Sequence, residues 1–311
     1  MDDRHQVAGW FRALRGWPRA LGCLTICLGV SGTGSLRAQP LAVRHHEGVT
    51  HGFLLLRTLE NETVAVGDLI QDSNGERVTS QVIFHFKDGS VHDERVSYSQ
   101  KHRFRMLEYR LSQKGPAFKK PIELVINGTS GEVTVHSWDD KGEEKVESSH
   151  EKLPADLANG MIPILTKNLP ADGSVPTLSL MVATPKPRMT KLEIDREGED
   201  AFVVGGSSRK ATRYVLKISI RGVAGIVAPL VGKQPPDIHV WVFEGEAPTF
   251  LKSEGPLYEG GPVWRIELIS PAWAKEEAIN HEIREYIGSH DALPAIASRR
   301  AMSVMIVREP I

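Results

Sequence analysis

Apolar and polar residues alternate with a period of two over most of the chain after residue 80. Val82, Phe84 and Phe86 share one face of a strand, Lys87-Asp88-Gly89-Ser90 follows as a turn, and Val91 to Ser99 reads as a polar partner strand. Asp-Gly between two such runs is a strong hairpin signal, because glycine supplies the positive φ that a tight turn needs. The grammar recurs at Ile122–Ile126, Asn127-Gly128 with Ser130-Gly131, and Val133–Val135, and again at Leu192–Ile194, Glu197-Gly198 and Phe202–Val204. Tyr214, Leu216, Ile218 and Ile220 alternate with Lys217 and Ser219, which predicts a strand with one wet face, the signature of an antiparallel sheet.

Two segments break this period. Leu153, Leu157, Met161 and Leu165 repeat at helical spacing and predict a helix over 154–162, with Pro154 in its first turn, Asp156 near its positive end and Pro163 as its stop. Ile279, Ile283 and Ile287 predict a second helix over 274–287, ended by Gly288. The fold class that follows is mainly β (α+β): an antiparallel curled sheet or half-barrel with one central helix packed on it, plus a carboxy-terminal helix. Ser270-Pro271 marks the expected end of the β-rich region, giving a domain over 39–271 and a helical tail over 272–311.

The first 38 residues change the picture of where this domain works. Arg4, Arg12, Arg15 and Arg19 precede the apolar run Ala20 to Val30, and small residues lead to Ala38. A basic start, short apolar core and small-residue exit form a secretory signal, with cleavage expected near Ala38 and a periplasmic or extracellular destination. The apolar run is shorter than the ~20 residues of a membrane span, so no integral membrane protein is expected after cleavage. Both cysteines, Cys23 and Cys27, fall inside this signal, so disulfides, thiolate catalysis and cysteine metal sites are excluded from the mature domain. The net charge of −1 includes five Arg and two Asp in the signal, leaving −4 for the rest, which gives no reason to expect nucleic acid as a partner.

His239–Phe243, Ala247–Glu254 and Gly260–Leu268 read as a three-strand meander. With the strand grammar of roughly residues 45 to 270, this resembles exported bacterial proteins related to the periplasmic lipoprotein-localisation carriers. The resemblance implies an antiparallel half-barrel with helices in its concave face and a cavity for acyl chains. One central helix and an appended carboxy-terminal one depart from that pattern.

Candidate chemistry is sparse. His45, His46 and His51 are the metal candidates, since imidazole suits zinc, copper or nickel, though neighbouring His45 and His46 point to opposite sides of a strand. His281-Glu282-Ile283-Arg284-Glu285 has Glu where a zinc-protease helix needs its second His. The run from Gly225 to Gln234 lacks phosphate-loop spacing, and Pro235-Pro236 forbids the helix such a loop requires. No Gly-x-Ser-x-Gly elbow occurs in the mature chain. The uncharged stretch 222–232 is either a buried strand with a bulge or an apolar flap at a cavity mouth. Arg209, Lys210, Arg213, Lys217 and Arg221 precede it as a candidate site for an anionic head group.

The functional expectation is an exported binding protein that holds a lipid-like or apolar ligand, without a cofactor. The expected ligand-facing residues are Leu157, Met161, Tyr214, Leu216, Ile218, Ile226, Val227 and Leu230. The alternatives are a structural or interaction module of the cell envelope whose partner is another envelope protein, and a metal-assisted hydrolase using the three histidines.

Overall fold

The structure is a computed structural model that describes residues 40–170, 177–204, 206–219 and 235–269. One antiparallel sheet dominates it. Its first eight strands are β1 (Thr50–Arg57), β2 (Thr63–Asn74), β3 (Arg77–Phe86), β4 (Val91–Ser99), β5 (Arg105–Lys114), β6 (Ile122–Asn127), β7 (Glu132–Trp138) and β8 (Glu144–His150). A short helix α1 (Ile162–Lys167) separates them from β9 (Leu178–Val182), β10 (Arg188–Val204), β11 (Ser207–Ser219), β12 (Ile238–Phe243), β13 (Thr249–Pro256) and β14 (Val263–Ile269). The spatial order is β8-β7-β6-β5-β4-β3-β2-β1-β14-β13-β12-β11-β10-β9. The chain therefore starts in the middle of the sheet, walks to one edge, crosses to the other edge by way of α1, and walks back. The last described strand, β14, pairs with β1, Leu54 opposite Leu268 and Leu56 opposite Ile266.

The sheet must curl. Leu124 on β6 and Leu192 on β10 belong to one core cluster, yet ten strand steps separate them. At about 4.8 Å per step they would lie roughly 48 Å apart on a flat sheet. They meet because both pack on the crossing segment, through Leu157, Ala158, Met161, Ile164, Leu165 and Leu169. Burying a side chain such as Leu124, Leu192 or Leu216 contributes about 2 kcal/mol each, so the segment's apolar face drives the curvature. Among the described residues the edges β8 and β9 are not paired to each other, so the described sheet is an open, half-barrel-type structure.

The two edges are protected differently. Residues 156–159 run along β9: Ser179 N donates to Asp156 O at 3.2 Å, Ala158 N to Ser179 O at 2.8 Å, and the Asn159 amide both donates to Met181 O and accepts from Met181 N at 2.8 Å. Strand β8 is exposed along most of its length and carries Glu144, Lys145 and Glu147, charges that discourage another chain from adding to the edge.

Three expectations need correction. The central helix spans Ile162–Lys167, not 154–162, and Pro163 lies in its first turn, where a missing N–H costs nothing. Residues 154–161 spend their backbone groups on turns and on the β9 edge, so the expected helix gives way to an irregular plug. Glu197-Gly198 is not a turn: β10 continues through it to Val204, with a bulge between Arg196 and Gly198. The expected helix over 274–287 lies outside the described residues, as do Ile220, Arg221, Ile226, Val227 and Leu230.

A polar network holds the amino-terminal segment and α1 to the sheet. Lys167 Nζ lies 2.7 Å from Glu47 Oε1, Gln71 Nε2 donates to Glu47 Oε2 at 3.1 Å, and Gln100 bonds both the N–H and the C=O of Glu47. Asn168 Oδ1 accepts from the backbone N–H groups of Arg44 and His45 at 2.9 and 2.7 Å. A half-buried carboxylate held by an ammonium and an amide donor avoids the penalty of an unpaired charge.

Candidate functional site

Register decides which side chains face the concave side. Val96 and Tyr98 of β4 are in the main core, so Glu94 and His92, of the same parity, face inward too. Glu94 sits opposite Val82 of β3 on one side and Leu111 of β5 on the other, and Val82 sits opposite Leu69 of β2. One inward row therefore reads Leu69, Val82, Glu94, Leu111, Leu124, Val135. Its β5–β7 end is closed by the plug, with Leu111, Leu124 and Val135 at most 5% exposed. Its β2–β4 end is not: Leu69, Val82 and Glu94 are half-buried.

Ile266 and Leu268 continue this open surface onto β14, inward-facing, half-buried and touching both core clusters. Leu268 leans over Gly52, whose added Cβ would stand 2.6 Å from Leu268 Cδ1. Below this band a second cluster closes one end of the sheet with Phe84, Phe86, Phe118 and Trp264. Phe86 meets Phe118 edge to face and Trp264 at a tilt, with centroids 5.3 and 5.5 Å apart, arrangements that aromatic quadrupoles favour over face-to-face stacking.

His92 is 3% exposed and lies against Phe84 and Phe118. Gln113 Nε2 donates to His92 Nδ1 at 3.0 Å and to Leu257 O at 2.8 Å. A carbonyl can only accept, so the amide nitrogen faces both partners, and the imidazole proton sits on Nε2. Burial lowers the His92 pKa from 6.5 to about 4. The native state then binds fewer protons than the unfolded chain between those values. Stability is retained above about pH 6.5 and lost as pH falls towards 4, by on the order of 3 kcal/mol. Urea unfolding at pH 7 and pH 4.5 checks this: His92→Phe should remove most of the acid loss, and an unchanged loss would contradict it.

Glu94 is the inward-facing acid of this row. Its Oε1 accepts from Tyr109 Oη at 2.8 Å. Burial pushes its pKa up, the Tyr109 hydroxyl pulls it down, and neighbouring Asp93 pushes it up again. Burial, with Glu94 beside it, holds the Tyr109 phenol well above its ordinary value, so this hydroxyl stays a donor.

The residues expected to face a ligand are placed as follows. Leu157, Met161, Tyr214 and Leu216 meet in the closed core, at most 6% exposed, and Ile218 stands half-buried at its edge. A small cleft of about 120 Å³ beside Leu157, lined also by Arg105, Met106, Leu153 and Pro154, falls below the ~300 Å³ of ordinary small-molecule sites.

The metal candidates are not brought together. His51 Nε2 pairs with Asp68 Oδ1 at 2.7 Å on the outer face, and among the described residues no group of three or more His, Cys, Asp or Glu could hold a metal ion. The basic residues of β11 face carboxylates of β10: Lys210 pairs with Glu199, Arg213 with Glu197 and Asp200, and Lys217 with Asp195. Three charges of the predicted cluster are thus paired, which weakens a head-group site at Lys210, Arg213 and Lys217.

Sequence reasoning missed the chain Lys191–Ser179–Asp156. Lys191 Nζ donates to Ser179 Oγ at 2.8 Å, and Ser179 Oγ donates to the Asp156 carboxylate at 3.0 Å. The hydroxyl donates a hydrogen bond to the Asp156 carboxyl group and accepts one from Lys191 Nζ, and Ser179 is 0% exposed. It ties the plug to β9.

No family model matches the chain, and no curated protein matches it. Among solved structures, it is similar to the crystal structure of a β-barrel-like protein of domain of unknown function DUF1849 from Brucella abortus. The TM-score is 0.40 at 12% identity, over 73% of this chain and 98% of that one. A likeness of that degree supports no statement about the site.

Proposed function

We propose that this is an exported binding protein that holds an apolar, lipid-like ligand against the concave face of its open sheet, as the resemblance to lipoprotein-localisation carriers implies. The observation that carries the reading is the band Leu69, Val82, Ile266 and Leu268. These side chains face the inside of the curl yet remain half-buried: Leu69 and Val82 share the row of Gly52, and Leu268 and Ile266 stand level with the Leu54–Phe84 and Leu56–Phe86 rows beside it. Apolar area left accessible on a concave face is the usual wall of a ligand site, and covering it gains about 25 cal/mol per Å². The signal-like start at residues 4–38 is the support for export.

Val82→Phe tests the reading. If the band is a site, the ring enters it, the fold keeps its stability, and saturable binding of an apolar fluorescent probe weakens at least tenfold. If the band is packed, the same substitution destabilises by roughly 1–3 kcal/mol through overpacking. That result, or a native chain without saturable probe binding, would reject the ligand surface.

A second reading, an interaction module of the envelope, has one observation in its favour. Val49, Phe53 and Ile70 lie on or beside the outer face of β1 and β2 and are 64%, 38% and 44% exposed.

A further inference from the structure

We propose that Glu94 is the polar anchor of this concave site, and that the site takes apolar molecules carrying one basic amine, bound as the ammonium. The inference rests on the reading of the concave face as a ligand surface and names the ligand's head group.

Glu94 differs from the other interior acids in what balances it. Glu47 has Lys167 at 2.7 Å, and Asp156 has Lys191 at 3.4 Å. Among the described residues, no Lys or Arg pairs with Glu94, and its one bond is from the Tyr109 hydroxyl to Oε1. The second carboxyl oxygen has no partner among them, yet it is not a sealed, unsatisfied atom: Thr63 Oγ1 is the described case of that. The Glu94 side chain is half-buried, in the same inward row as the half-buried Val82 and Leu69.

A carboxylate facing an apolar wall without a counter-ion is costly, and an ammonium that donates to it offsets that cost with a charge-assisted bond. The titratable groups facing or adjoining Glu94 are His92, Tyr109 and Asp93. His92, two residues away on the same face, is held neutral near neutral pH and cannot supply the missing charge. The Tyr109 hydroxyl is a neutral donor that helps to hold the carboxylate, and Asp93 adds negative charge. The row thus offers a fixed acceptor at one end of an apolar surface, which selects a cationic head on an aliphatic body over an anionic one.

The experiment titrates the full chain at pH 7 with dodecylamine, dodecanol and dodecanoate, each below its micelle concentration, using intrinsic tryptophan fluorescence and calorimetry. Dodecylamine is expected to bind at least about tenfold more tightly than dodecanol, and dodecanoate most weakly. Glu94→Gln should abolish the advantage of the amine and leave the affinity for dodecanol unchanged. Should that variant fail to fold, the native chain still decides: the advantage of the amine should grow as pH rises through the raised pKa of Glu94. Equal binding of amine and alcohol, a dodecanoate affinity matching the amine, or an advantage that survives Glu94→Gln would overturn the inference while leaving the apolar site intact. Failure of all three probes to bind would instead overturn the ligand surface itself.

Discussion

Leu216→Asp is expected to unfold the chain, while Lys217→Glu beside it leaves the fold in place. Leu216 is 0% exposed and sits between Ile194 and Ile238, in the cluster that also holds Leu157 and Met161. That cluster is apolar among the described residues, and the cost of burying a carboxylate in it, with the lost apolar contacts, is at least several kcal/mol. Set against a total stability of about 5–15 kcal/mol, that is enough to populate the unfolded state heavily. Lys217 is 47% exposed and reaches Asp195 at 3.1 Å, so the reversed charge loses only a solvent-screened surface pair and no core packing. Circular dichroism and urea unfolding of both variants check the contrast. A folded Leu216→Asp beside an unfolded Lys217→Glu would show the register of β11 to be inverted.

The second large effect belongs to Gly160, in the plug. Its φ is +70°, and an added Cβ would lie 2.9 Å from Val96 Cβ and 3.2 Å from the Tyr109 ring. Backbone strain and overpacking therefore act together, and Gly160→Val should cost about 3–5 kcal/mol. Gly142, at φ +79° with nothing within 4 Å, separates the two causes. Gly142→Ala should cost only the strain, about 1 kcal/mol, and Gly160→Ala clearly more. Equal costs at the two positions would mean that the plug does not approach β4 and β5 this closely.

The sheet was legible because period-two strands and turn residues agree. Gly89 and Gly131 take φ of +82° and +85° where Asp88-Gly89 and Ser130-Gly131 signal turns, and the meander from His239 to Leu268 became β12 to β14. The plug was not legible, because the spacing of Leu157, Met161 and Leu165 fits a helix as well as it fits a segment packed through the same side chains. What decided was tertiary: the backbone at 156–159 bonds the β9 edge, which no local pattern announces. Strand β8 has no apolar phase to read; Val146 is its one large hydrophobe and is 57% exposed. The anchor was partly visible. In β4 the parity of Val96 and Tyr98 places His92 and Glu94 inside, but a strand read as polar on both faces hides that consequence. That Glu94 would lack a cation depends on neighbours drawn from distant strands, so only the fold could show it.

The central claim is that the concave band, not the outer face, receives an apolar ligand. Methyl-labelled NMR of the chain titrated with dodecanol tests it most directly. The expected result is saturable shifts at Leu69, Val82, Ile266 and Leu268, with Val49, Val125 and Val146 unmoved. Shifts confined to those outer-face methyls, or none that saturate, would contradict the claim.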